Sequence, residues 1–86
     1  MISVNFNAIQ YESIDGTTGH LNIKRDLANI LYMQGETIEE SELGRRIFNT
    51  PAEIELSPED VEIVIKYVKK YYTSIVVKNA ITNSLK

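Results

Sequence analysis

The stretch Ser57–Val76, SPEDVEIVIKYVKKYYTSIV, decides the fold. Ser57 is a favoured helix N-cap, and Pro58 fits the first helical position, where no N–H is required. Glu59 and Asp60 meet the positive end of the helix dipole. Asp60 also stands at the third helical position, where a carboxylate can close a capping box. Val61, Val64, Ile65, Val68, Tyr71, Tyr72 and Ile75 follow at spacings of three and four, which makes one apolar stripe. Lys66, Lys69 and Lys70 fall off that stripe and toward the C-terminal end. A long central helix starting near Ser57 follows.

Beyond Thr73 the reading divides. Thr73 to Val77 is mostly β-branched, which lowers helix propensity locally. Val77, Ile81 and Leu85 nevertheless stand four apart, as a helical stripe requires. In one straight helix they would join Ile63 and Tyr67 on the side opposite the main stripe. A bend near Thr73–Ser74 instead lets both stripes face one core, and the β-branched run favours the bend.

Working outward, Ile54–Leu56 is a short edge strand or an extended lead into the Ser57 cap. Thr37 caps an earlier segment that carries Leu43, Ile47 and Phe48 and ends at Asn49-Thr50-Pro51. Ile23, Leu27, Ile30 and Leu31 mark a helical face before that, stopped by Gly35. At the N-terminus Ile2, Val4, Phe6 and Ala8 alternate with polar residues, the period of a half-buried strand. The phase shifts at Ile9 and Tyr11, so a bulge sits there or the strand ends. Asp15-Gly16-Thr17-Thr18-Gly19 is a turn, and His20–Ile23 returns as a second strand. The class is α+β, mainly helical: an N-terminal β-hairpin followed by three or four helices.

The 86 residues form a single small domain, with 43% hydrophobic content that argues against a disordered chain. The absence of cysteine removes disulfides and thiolate metal sites. No basic-plus-apolar leader and no run long enough to span a bilayer is visible, so a cytoplasmic setting is expected. Twelve acidic against nine basic residues give a formal net charge of −3. Domains that live on phosphate contacts are usually basic, so nucleic acid is disfavoured as a partner.

The chemistry-bearing residues form no motif. His20 is the only histidine and lies beside a turn, where a surface role is the ordinary one. Glu36, Glu39, Glu40 and Glu42 lack the alternation of a calcium loop and read as a solvated helix start. Gly16 and Gly19 are not followed by the Gly-Lys-Ser/Thr of a phosphate loop. Ser13, Ser41, Ser57 and Ser74 lack a nucleophile-elbow context. No catalytic, cofactor-binding or metal-ligating residue is assigned, and no small-molecule substrate is evident. Lys24–Gln34 and Thr37–Asn49, hinged at Gly35, have the outline of a helix-turn-helix. The second segment, however, leads with Glu39, Glu40 and Glu42, and Arg45 and Arg46 arrive late. A second nucleic-acid candidate is the mixed patch Lys66, Tyr67, Lys69, Lys70 with Lys78, but three lysines on one helix are more often a solvated face.

Leu43-Gly44-Arg45-Arg46-Ile47-Phe48-Asn49 and Ile54-Glu55-Leu56-Ser57-Pro58-Glu59-Asp60-Val61, with the helix behind them, resemble small proteins of unassigned role encoded in prophages and related mobile elements of bacteria. The resemblance implies an accessory protein that acts by binding. The expectation is therefore a non-catalytic protein-binding or structural module. Its partner surface, for another protein or a second copy, is the stripe Ile63, Tyr67, Val77, Ile81 and Leu85. The alternative is a small nucleic-acid-binding regulator built on the helix-turn-helix outline.

Overall fold

A computed structural model describes all 86 residues, Met1–Lys86. The elements run β1 (Ile2–Val4), β2 (Ile9–Glu12), β3 (Thr18–Leu21), α1 (Lys24–Gln34), α2 (Ile38–Asn49), β4 (Ile54–Leu56), α3 (Pro58–Tyr71) and α4 (Ile75–Ser84). The α+β class and the four helices match the sequence reading; the strand pairing is richer than that reading allowed. β1 pairs antiparallel with β4, Ile2 opposite Leu56 and Val4 opposite Ile54. The hairpin is β2 with β3, in the register Ile9 to Leu21 and Glu12 to Thr18.

The phase shift at Ile9 now has a cause. The first strand ends at Val4, and Asn5–Ala8 turns tightly, with the Ala8 N–H donating to the Asn5 carbonyl at 3.1 Å. Asn5 Oδ1 also accepts from the Asn7 N–H at 3.0 Å, an Asx-type bond that releases the chain from the strand. The reversal after β2 uses Gly16 at φ 87°, a left-handed conformation that glycine adopts without a Cβ clash. Asp15 Oδ1 gathers the Thr17 N–H at 3.1 Å, the Thr17 hydroxyl at 2.7 Å and the Ser13 hydroxyl at 3.1 Å. Those bonds hold the Asp15 carboxyl below its ordinary pKa.

The capping chemistry is local, and it is built as its residues dictate. Thr37 Oγ1 accepts from the Glu40 N–H at 3.2 Å. Ser57 and Asp60 form the full capping box, at 3.2 Å and 3.1 Å. Ser57→Ala is therefore expected to lower stability by about 1 kcal/mol in a urea titration. An unchanged midpoint would mean that Asp60 alone satisfies the first turn.

Between α1 and α2 the backbones nearly touch. A Cβ added at Gly44 would lie 2.7 Å from the Ala28 carbonyl oxygen and 2.8 Å from the Tyr32 nitrogen. Small residues at that crossing let Leu27, Leu31, Leu43 and Ile47 reach one core, each at most 1% exposed. That core also takes Val4, Phe6 and Ile9 from the N-terminus and Val64, Tyr67 and Val68 from α3. Tyr71 is exposed, and Tyr72 is half-buried, with a buried hydroxyl that finds no partner. Burial and the nearby Asp26 push the Tyr72 phenol up to about 12.

The chain breaks where the β-branched run predicts. α3 closes at Tyr72 in extended conformation, and Ser74 recaps the chain, its hydroxyl accepting from the Val77 N–H at 3.4 Å. α4 then folds back so that Ala80, Ile81 and Leu85 enter the common core.

Candidate functional site

That packing corrects the expected partner surface. Tyr67 is 1% exposed, Ile81 0% and Leu85 5%, while Ile63 and Val77 are half-buried and packed against the same core. The break at Tyr72–Ser74 turns the second stripe inward, so these five side chains hold the domain together and offer no free contact face. What α4 leaves outward is the opposite edge. Ile75 is 68% exposed and Val76 51%, although the sequence placed Ile75 on the buried stripe.

Tyr67 owes its burial to a polar anchor. Glu40, at the first turn of α2, is buried at 6% exposure. Its Oε1 accepts from the Tyr67 hydroxyl at 2.6 Å and the Glu36 N–H at 2.9 Å, and its Oε2 accepts from Lys66 Nζ at 2.8 Å. The Lys66 bond, followed by the Tyr67 bond, holds the Glu40 carboxyl down at about 2. The bond to Glu40 raises Lys66, and burial raises Tyr67. Glu40 and Lys66 are thus held in their charged forms, and Tyr67 is held as a neutral phenol. The trio fastens α2 to α3. Glu40, read from the sequence as a solvated carboxylate, is instead the buried anchor of the helix junction.

The α1–α2 hairpin carries a depression of about 270 Å³, with Tyr32 and Phe48 beside it. The Arg45 guanidinium lies over the Tyr32 ring at 5.5 Å and pairs with Glu42 at 3.7 Å. Arg46 turns away toward Asp60, at 3.5 Å. The exposed side of the α2 first turn carries Ile38 and Glu39, and Glu42 in the next turn is the one paired with Arg45.

The larger recess is a groove of about 560 Å³ between β2 and α4. Gln10, Tyr11 and Glu12 line one wall, and Val76, Asn79, Ala80 and Asn83 the other. Tyr11 lies across the hairpin so closely that a Cβ on its partner Gly19 would meet the ring at 2.8 Å. Sequence reasoning missed this groove. Its only local signal was the pair Asn79 and Asn83, four apart beside the apolar stripe. No helix of the chain is long and apolar enough to cross a membrane. No protein-family model, curated protein or solved structure matches the chain.

Proposed function

We propose that the chain is a non-catalytic protein-binding or structural accessory module that meets its partner through the outward side of its C-terminal helical region. The observation that carries the reading is the adjacent pair Ile75 and Val76, both exposed at the start of α4, with Val76 lining the groove against β2. Such residues beside an open groove have the character of a contact surface. The accessory role implied by the resemblance to prophage-encoded proteins belongs to the same proposal.

Ile75→Glu/Val76→Glu tests it. Both side chains are exposed, so the thermal midpoint should stay within a few degrees of the wild type. Self-association seen by light scattering, or co-purification of a defined partner, should be lost. A wild-type chain that stays monomeric at high concentration and retains no partner would overturn the reading. Ile81→Glu cannot serve here, because its buried position makes unfolding the expected result.

A further inference from the structure

We infer that the chain associates head to tail with further copies of itself, the tip of the β2–β3 hairpin of one copy seating in the depression between α1 and α2 of the next. The projecting part is Ile14. The Gly16 N–H donates to the Ser13 carbonyl at 2.9 Å and the Ser13 N–H to the Thr17 carbonyl at 2.8 Å, which closes a tight turn around Ile14 and Asp15. Such turns ordinarily carry Gly, Pro, Asn, Asp or Ser, and here a branched aliphatic side chain stands fully exposed. The bonds to Asp15 Oδ1, with the 2.6 Å bond between the Ser13 and Thr17 hydroxyls, hold the turn in shape. An apolar side chain on a fixed turn loses little freedom when it docks. Its own chain does not cover Ile14, because the hairpin packs on α4 while α1 packs on α3.

The depression has matching features. Ala28 and Gly44, both buried, form its floor where the helix backbones meet, and the exposed Tyr32 and Phe48 flank it. Its volume of about 270 Å³ falls below the roughly 300–1,000 Å³ of small-molecule sites and suits a single apolar side chain. Charge then selects the occupant. Arg45 lines the depression, no carboxylate does, and the exposed Arg25 stands one turn of α1 before Asn29 on the same side. The hairpin tip is the opposite: Glu12 and Asp15 flank Ile14, and no Lys or Arg precedes Lys24. The turn bonds use Asp15 Oδ1, which leaves Oδ2 for Arg45 of the next copy. Two depressions set face to face would instead bring Arg45 and Arg25 of both copies together, and like charges disfavour that pairing. A knob and a hole on different parts of one chain make a heterologous contact, which repeats into a ring or an open filament. One turn buries little area, in the class below about 1,200 Å² typical of weak encounters. Assembly therefore needs high protein concentration.

Amide NMR of the isotope-labelled chain, diluted from millimolar to micromolar concentration, tests this. Resonances of Ser13–Thr17 and of the residues around Tyr32 and Phe48 should shift together as the chain is concentrated. Ile14→Glu removes the knob and Phe48→Glu blocks the hole. Both positions are exposed, so each variant should fold, and each alone should stay monomeric. Their mixture is the decisive measurement. Labelled Ile14→Glu keeps its depression and unlabelled Phe48→Glu keeps its hairpin tip, so the two should form a one-to-one pair. Shifts should then be confined to α1 and α2 of the labelled chain, and exchanging the label should move them to the hairpin tip. Arg45→Glu takes the place of Phe48→Glu if that variant misfolds, and should weaken association at least tenfold. Spectra that do not change with concentration, association that survives Ile14→Glu, or two variants that fail to complement would overturn the head-to-tail contact. The surface at Ile75 and Val76 stands or falls apart from it. Ile75→Glu/Val76→Glu should leave the hairpin and α1–α2 shifts in place, and a contact this small escapes light scattering at micromolar concentration.

Discussion

Val68→Asp is expected to abolish cooperative folding. Val68 is 1% exposed and sits between Val64 and Tyr72 on the inward side of α3. A lone carboxylate there has no cation or donor to meet it, and an uncompensated buried charge costs several kcal/mol even after relaxation. The lost valine packing adds to that cost. Domains of this kind are stable by only about 5–15 kcal/mol, and one of 86 residues belongs near the lower end. The variant should therefore show weak near-ultraviolet dichroism and collapsed amide dispersion. Lys69→Asp, one residue on and exposed, should fold normally. A native-like, cooperative Val68→Asp protein would mean that α3 presents another face to the core.

How far the fold could be read from the sequence depended on how local each determinant was. Thr37 and Ser57 cap their helices through donors three residues away, and cap chemistry is written within one turn. The break before Ser74 was equally visible, because a β-branched run and a fresh cap stand side by side. The β1–β4 pairing was not legible. Alternation at Ile2 and Val4 tells which side is buried, but nothing in it names a partner at Ile54–Leu56, fifty residues on. The choice of stripe on α3 failed for a related reason. Periodicity alone put Tyr71 inside and Tyr67 outside, and the reverse holds because Tyr67 meets an acceptor supplied by α2. Glu40 looked like one more solvated carboxylate, since its buried role depends on Lys66 and Tyr67 arriving from another helix. The groove was not legible either, because its walls come from β2 and α4, which lie at opposite ends of the chain.

That Glu40 junction carries the second large effect. Glu40→Leu should lower stability at neutral pH by about 3 kcal/mol. A buried donor left without its acceptor costs about 1–3 kcal/mol, and the Glu36 N–H and the Tyr67 hydroxyl both lose one. Tyr67 keeps a weaker contact with the Gln34 carbonyl at 3.3 Å, and Lys66, half exposed, returns to water, which limits the loss. The charge also predicts a pH signature. The folded carboxyl is held at about 2 against an ordinary 4.5. A depressed folded pKa stabilises above the unfolded value, so the contribution is complete at neutral pH. It fades as pH falls from about 4.5 toward 2, where both states bind the proton. Asp15 is also lowered, so acid sensitivity of the wild type alone does not isolate Glu40. The difference between wild type and Glu40→Gln does, because Asp15 is common to both. Urea midpoints taken at intervals between pH 7 and pH 2.5 should show that difference shrinking steadily below about pH 4.5. A difference that stays constant with pH would mean that the Glu40 carboxylate gains nothing from Lys66 and Tyr67 in the folded chain. In that case the junction would be held by apolar packing alone.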